Sequence, residues 1–175
     1  MSAVLSSCGR YRYRLDRHVS MASGPVYAFF GINPSTADDV KDDATVRKWR
    51  GFVTAWGGSR FIVGNVFAYR ATDVKELAYV GNPVGPDNQD HMGIICAEAD
   101  VLVPCWGSRN KLPPHLRRHI PGVLAFLYRF NKPVMAFGTT ASGDPAHPLM
   151  LGYNTPLVRF RDATRPTEGG QHAAD

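Results

Sequence analysis

Short apolar runs and longer segments with helical spacing alternate along this chain. The runs have the length of strands covered on both faces, and they lie at residues 26–32, 60–69, 100–107 and 133–138. Apolar positions recur at helical spacing between the runs, over residues 43–56, 87–99 and 112–130. This alternation predicts the α/β class, as a three-layer sandwich with a short, mainly parallel central sheet of about four strands.

The N-terminal segment has a different pattern. Over residues 9–17 tyrosine or leucine alternates with polar residues, which predicts a half-buried strand that is antiparallel or lies at an edge of the sheet, and we assign it to the edge. Arg10, Arg12 and Arg14 are expected to share one face of this strand. Such a row of arginines either binds successive backbone phosphates or uses its charge to keep an exposed sheet edge from pairing with another strand.

Length and hydropathy indicate a single domain without a membrane-spanning segment. At 175 residues the chain has the length of one domain, which we assign to residues 1–160. Residues 161–175 are polar and aperiodic, and we expect a disordered tail there. No apolar run reaches the roughly 18 residues of a membrane span, and the N-terminus lacks the pattern of a secretory signal. We therefore expect a cytoplasmic protein without a membrane partner.

Charge and cysteine content restrict the ligands. The formal net charge of +5 suits an anionic partner without requiring one. Three cysteines, none of them in a CxxC pair, argue against a disulfide framework and against a four-cysteine zinc site. We therefore predict no metal and no cofactor, and the sequence leaves the oligomeric state open.

Polar or aromatic side chains follow each of the four apolar runs, at the strand ends where an open α/β sheet binds its ligands. The candidate substrate-binding residues at these ends are Gly31, Pro34, Ser35, Asn65, Phe67, Arg70, Trp106, Gly107, Gly138 and Thr139. A flat heterocycle is held by stacking and a few edge hydrogen bonds, and glycine-flanked loops let amides approach a phosphate. The sequence therefore predicts a pocket for a nucleobase or nucleotide, although strand-to-helix turns use the same residue types.

Three further residues carry the groups that cleavage of an N-glycosidic bond needs. Such cleavage builds positive charge on the sugar and negative charge on the base. Asn33 can position a water molecule, and His147 can donate a hydrogen bond to the base. Asp38 is a candidate for a stronger base, although it and its acidic neighbours also fit a solvated loop before a helix cap.

Six motifs in a fixed order resemble a known family. They are RYRYxLxR, GINPSTAD, DxATVRK, NVFAYRATD, CWG and FGTTxSGxPxHPLML. Between Arg10 and Leu151 they resemble a bacterial and phage family known only as a domain of unknown function, family 1643. This resemblance implies no particular activity.

Two of the motifs are also similar to motifs of the uracil-DNA glycosylase superfamily. GINPS is similar to the GINPG of mismatch-specific uracil-DNA glycosylases, and HPL is similar to the HPS of the wider superfamily. The similarity implies a uracil-DNA-glycosylase-like fold, with Asn33 orienting the attacking water and His147 stabilising charge on the departing base. Ser35 stands in place of glycine in the first motif, and Leu149 in place of serine in the second.

The sequence leaves three functions open. The first is a glycosylase-like hydrolase that acts on a base in DNA or on a free nucleotide. The second is a non-catalytic protein that binds nucleotides or nucleic acid in the same pocket. The third is a cysteine-dependent hydrolase that pairs Cys105 with His147, although a buried thiol is inert. The basic segment 109–118 can touch phosphates or form an ordinary solvated face.

Overall fold

The computed structural model describes residues 1–35 and 42–160 of the chain. Its strands are β1 (Ser2–Leu5), β2 (Arg12–His18), β3 (Val26–Gly31), β4 (Arg60–Asn65), β5 (Val101–Pro104), β6 (Met135–Ala136) and β7 (Val158–Arg159). Its α-helices are α1 (Ala44–Ala55), α2 (Asn88–Glu98) and α3 (His119–Tyr128). The predicted α/β class is confirmed. The predictions for Asp38 and for a tail at 161–175 lie outside the described residues, and the assignment of one domain to 1–160 stays a prediction.

The central sheet is mixed rather than mainly parallel. Its five strands lie in the order β1-β2-β4-β3-β5. β3 pairs in parallel with both β4 and β5, whereas β2 pairs antiparallel with both β1 and β4. β1 covers the outer side of β2, so the predicted N-terminal edge strand is an interior strand. A short turn suffices to join antiparallel strands, which is how the four residues of β1 are added to the sheet.

The last apolar run, at 133–138, adds little to this sheet. Val134 forms one parallel bridge with Leu102 of β5. The two residues of β6 pair antiparallel with β7 in a separate two-stranded sheet. The exit of this run therefore does not join the row of strand ends formed by β3, β4 and β5.

Helices cover both faces of the sheet. Because successive side chains of a strand point to opposite faces, Phe30 packs into the core under α2 and α3 while Phe29 packs under α1. From β3 the chain passes through α1 to β4 on one side, and then through α2 to β5 on the other side. This reversal of direction creates a crevice between the carboxyl ends of β3 and β5.

Local sequence explains where two of the helices, α1 and α3, begin. Asp43 caps α1 as expected, because its Oδ1 accepts a hydrogen bond from the Val46 N–H at 2.8 Å. The helix expected over 112–130 is shorter, and Pro121 lies in the first turn of α3, where a missing N–H does no harm and causes no kink. Within the described part of the chain, no helix combines the length and apolar character needed to cross a bilayer.

Candidate functional site

A cavity of about 510 Å³ lies at the carboxyl ends of β3, β4 and β5. Six residues predicted from the sequence line it: Gly31, Asn33, Ser35, Asn65, Trp106 and His147. They come from four segments that are far apart in the sequence. The volume is within the range of small-molecule sites in proteins. Asn33, Trp106 and His147, which are far apart in the sequence, therefore all line one cavity.

Six other predicted residues are not among the described residues that line the cavity: Pro34, Phe67, Arg70, Gly107, Gly138 and Thr139. Phe67 is fully buried in the core, where its ring makes an edge contact with His119. After β4 the chain runs beside the segment that precedes β2, and the Arg70 N–H donates to the Arg10 carbonyl. These two side chains therefore follow β4 in sequence but point away from the crevice.

Asn33 fastens the loop after β3. Its Nδ2 donates hydrogen bonds to the carbonyl of Ala71 at 2.7 Å and to the carbonyl of Pro34 at 3.1 Å. The side-chain amide thus ties the end of β3 to the segment that follows β4. Because both bonds use Nδ2, the remaining polar atom of this side chain is the acceptor Oδ1.

Asp43 joins the same loop to α1. Its Oδ2 accepts a hydrogen bond from the Ser35 hydroxyl at 2.6 Å, while its Oδ1 caps the helix. Both carboxylate oxygens of Asp43 are therefore engaged, although the residue lines the cavity. The carboxylate positions Ser35 rather than standing free as a base.

His147 is held as a neutral imidazole. Its Nδ1 accepts a hydrogen bond from the Leu149 N–H at 3.3 Å, so the proton of the neutral ring lies on Nε2. Burial lowers the pKa of His147, and the positive charge of Lys111 lowers it further against a smaller opposing effect of Asp43. At neutral pH the ring therefore presents an Nε2–H donor.

Gly107 lets the end of β5 approach the loop that carries His147. Its φ is +75°, in the left-handed region, and a Cβ added there would lie 3.2 Å from the Cβ of His147. The Gly107 N–H also donates to the Pro145 carbonyl at 2.9 Å. The residue therefore shapes the site without lining the cavity.

Asp144 anchors the loop that carries His147 through hydrogen bonds. This carboxylate is fully buried, and it accepts hydrogen bonds from the side chain of Arg109 at 2.6 Å and from its backbone N–H at 2.9 Å. The hydroxyl of Ser142 donates to it at 2.8 Å. The loop before His147 is therefore fixed to the turn that follows β5.

Two buried donors without a partner belong to residues that line the cavity. The Nδ2 of Asn65 and the Nε1 of Trp106 have no hydrogen-bond acceptor among the described residues, and both residues are only 3% exposed. The Nε1 of Trp49 also lacks an acceptor by distance, but the weakly accepting thiol of Cys105 lies beside it. A buried donor without a partner costs about 1–3 kcal/mol, which a ligand with acceptor atoms would offset.

The family model described as "Protein of unknown function (DUF1643)" matches residues 12–149. The chain belongs to this family. Arg12 and Leu149, the ends of the match, also line the cavity, so all the described lining residues fall within the family region. No curated protein matches the chain, and no solved structure matches it.

Sequence reasoning misplaced Arg12 of this DUF1643 chain. The register between β1 and β2 skips Tyr13, which makes a β-bulge. Such a bulge breaks the alternation of side chains. Arg14 therefore points toward α2, where it pairs with Glu98 at 2.7 Å, whereas Arg12 is buried and lines the cavity. The expectation that these arginines share one face is wrong, and the strictly alternating letters carry no sign of the bulge.

Other lining residues of the DUF1643 chain were also missed. They include Thr45, Trp49, Thr72 and Asp73. Thr45 and Trp49 lie four residues apart on α1, a spacing that brings both to one face of a helix. That spacing, together with the N-cap at the start of α1, is the feature of the sequence from which these lining residues could have been predicted. In the described ranges no group of three or more His, Cys, Asp or Glu is placed to hold a metal ion.

Cys105 has the features of an inert thiol. It is fully buried, and burial raises the pKa of the thiol to about 12. Its Sγ donates to the carbonyl of Phe30 at 3.6 Å. A nucleophilic cysteine needs a lowered pKa, so these observations give no support to a reaction through Cys105.

Proposed function

We propose that this DUF1643 protein binds a nucleobase in the cavity, as part of a nucleotide or of DNA, and hydrolyses its N-glycosidic bond. The observation that carries the proposal is the convergence of Asn33, Asn65, Trp106 and His147 on one cavity. These side chains offer a ring, an acceptor and several donors to a planar ligand. Most buried donors in native proteins have an acceptor, so the two at this cavity support a ligand there.

Base recognition would use the two donors described above. The Nδ2 of Asn65 and the Nε1 of Trp106 lack acceptors among the described residues. Carbonyl oxygens or ring nitrogens of a base would supply those acceptors at its edge. The ligand would then satisfy groups that the folded chain leaves unsatisfied.

Hydrolysis would proceed by addition of water to the sugar as the bond to the base breaks. The base leaves with the bonding electron pair, water adds to the anomeric carbon, and the proton released by the water ends on the base. His147 would donate a hydrogen bond from Nε2–H to the departing base, where negative charge develops, and would keep its proton. Asn33 Oδ1 would accept a hydrogen bond from the water and orient its lone pair.

Two further observations support this reaction. The motifs similar to those of uracil-DNA glycosylases, GINPS and HPL, both contribute residues to the cavity. The proposal also includes a uracil-DNA-glycosylase-like three-layer arrangement, to which α1 on one face and α2 with α3 on the other are suited.

A base-release assay tests the proposal. Duplexes containing uracil or mismatched bases, and nucleoside monophosphates, are incubated with the protein, and free base is measured by chromatography. We expect His147→Gln to slow release by about 100-fold or more, since a positioned donor contributes about that much. His18→Gln, an exposed histidine outside the described lining residues, should release base at the wild-type rate. Absence of base release by folded wild-type protein from every substrate would overturn the hydrolase.

A non-catalytic binding protein is the second candidate. The carboxylates of Asp43 and Asp73 both accept hydrogen bonds from backbone N–H groups at helix starts, so neither stands ready as a general base. The binder predicts saturable binding of the same ligands without turnover, and loss of that binding in Asn65→Leu.

A further inference from the structure

Acidic residues are absent from a long stretch of the chain beside the cavity. Between Asp100 and Asp144 there is no Asp or Glu, but there are six Lys or Arg. Four of the six lie within residues 109–118, a segment that we call the basic rim. Lys111 of the basic rim lines the cavity, so the positive charge begins at the mouth of the proposed site.

The cations of the basic rim are positioned but largely not neutralised. Arg109 forms an ion pair with Asp144. The guanidinium of Arg117 donates to the carbonyls of Leu112 and Asn110, each at 3.1 Å, which folds it over the turn that carries Lys111. Hydrogen bonds to carbonyls orient a charge without cancelling it.

Three positive charges of the basic rim therefore stay available. No ion pair joins Lys111, Arg117 or Arg118 to a carboxylate of the described residues. Lys111 and Arg118 are exposed, so an anion can reach them from solvent.

Stability does not explain this placement. Arg118 is the N-cap residue of α3, its side chain makes no capping hydrogen bond, and the first turn contains no acidic residue. A cation at a helix N-terminus is opposed by the helix dipole, which favours negative charge there. The helix dipole therefore does not account for the cation at this position, whereas a bound anion would.

We propose that the basic rim binds the phosphates of a nucleic-acid strand whose base occupies the cavity. The inference rests on the proposed function, because the strand is held at the rim only when the cavity takes one of its bases. The inference also distinguishes between two possible substrates, a nucleic-acid strand and a free nucleotide. Phosphate contacts outside the cavity require neighbouring nucleotides, so a strand binds more tightly than the corresponding free nucleotide.

Fluorescence anisotropy tests this inference with two kinds of probe. The strands are labelled oligonucleotides of about twelve deoxythymidines or uridines, and the free nucleotides are dTMP and UMP as competitors. Arg118→Ala removes a cation of the basic rim. Arg129→Ala is the matched control, because it removes the same charge from an exposed residue just beyond the opposite end of α3.

We expect Arg118→Ala to weaken strand binding about fivefold at about 0.1 M salt, and to reduce the slope of log affinity against log salt by about 0.7. The double variant Lys111→Ala with Arg118→Ala should lose about 25-fold in affinity and about 1.4 in slope. Arg129→Ala should bind strands like the wild type, and Arg118→Ala should bind the free nucleotides like the wild type.

The outcomes separate the rim from the cavity. If free nucleotides bind but Arg118→Ala leaves strand affinity unchanged, or weakens it no more than Arg129→Ala does, the basic rim is overturned and the proposed function stands. If neither strands nor free nucleotides bind to folded wild-type protein, the proposed function fails and the rim fails with it. Circular dichroism and thermal melting establish that each variant is folded.

Discussion

Polar groups at the amino ends of the parallel strands have hydrogen-bond partners within the chain, whereas two buried donors at the carboxyl ends have none among the described residues. At the amino ends, Glu98 pairs with Arg14 at 2.7 Å and with Arg60 at 3.1 Å, and Asp100 accepts a hydrogen bond from the Val26 N–H at 2.8 Å. Each of these groups finds its partner within the chain. Polar groups satisfied in this way contribute to holding the fold together.

The carboxyl ends contain polar groups that the chain does not satisfy. Asn65 and Trp106 bury donors without acceptors among the described residues, and His147 is kept neutral by its surroundings. Such groups reduce the free energy of unfolding rather than raise it. The contrast teaches that polarity alone does not identify a site, whereas buried donors without a partner beside a cavity point to one.

One part of the carboxyl end nevertheless resembles the amino end. Asp144 is fully satisfied, and Gly107 makes room for a neighbouring side chain. These residues position His147 and need not touch a ligand. The comparison therefore predicts that substitutions there lower stability and act on binding only through His147, whereas substitutions of Asn65 or Trp106 affect binding directly.

The largest expected effect is that of Asp144→Ala. This change removes the acceptor of hydrogen bonds from Arg109 and Ser142 and releases the loop before His147, so we expect a loss of about 2–3 kcal/mol in the free energy of unfolding. Urea denaturation measures it. Asp90→Ala, which removes an exposed carboxylate from α2, should cost less than about 1 kcal/mol. Equal losses of unfolding free energy in the two variants would contradict the distinction between the buried, hydrogen-bonded carboxylate of Asp144 and an exposed carboxylate.

A smaller effect is expected at two glycines with the same backbone conformation. Gly107 and Gly143 have φ of +75° and +76°, so alanine at either should cost about 1–2 kcal/mol. Only at Gly107 would the new Cβ press on His147, since nothing lies within 4 Å of a Cβ at Gly143. Gly107→Ala should therefore lose additional stability and weaken ligand binding in the cavity. Indistinguishable unfolding and binding curves would show that Gly107 does not position His147.

The smallest effect is expected at the amino end. Hydrogen bonding from Arg14, with a smaller contribution from Arg60, lowers the pKa of Glu98 to about 2 from its ordinary value of 4.5. Because the folded-state pKa is depressed, the stabilisation is present above about pH 4.5 and is lost as the pH falls toward 2. The side chain is 36% exposed, so Glu98→Gln should cost less than about 1 kcal/mol at pH 7.

The pH dependence gives the decisive readout for this variant. The difference in urea midpoint between wild type and Glu98→Gln should shrink steadily as the pH is lowered below about 4.5. A difference that stays constant down to about pH 2 would contradict a role for the charge of Glu98, and would assign the effect to packing.

Local patterns predicted the elements that depend on neighbours in sequence. The buried strand β3, the cap of α1 and the α/β class follow from hydrophobic spacing and from the chemistry of Asp43. The edge position assigned to β2 failed because β1, only four residues long, supplies an outer neighbour. Strands this short carry too few residues for a pattern to be recognised.

The sequence placed residues at the cavity where parallel strands end side by side. Gly31, Asn65 and Trp106 meet because β4, β3 and β5 are adjacent and point the same way. This placement failed for Gly138 and Thr139, because the run before them forms a single bridge to β5 rather than a strand of the sheet. A residue's position after an apolar run does not say whether that run joins the sheet.

By itself the sequence determined the class of the fold and the supply of polar groups at strand ends, because hydrophobic period and turn chemistry act between near neighbours. Only the tertiary structure decided which of those groups meet and which are already engaged. The bulge at Tyr13 turns Arg12 into the cavity, and the carbonyl of Ala71 takes the amide of Asn33. Both outcomes depend on register and on contacts between distant segments, which are set when the whole chain packs.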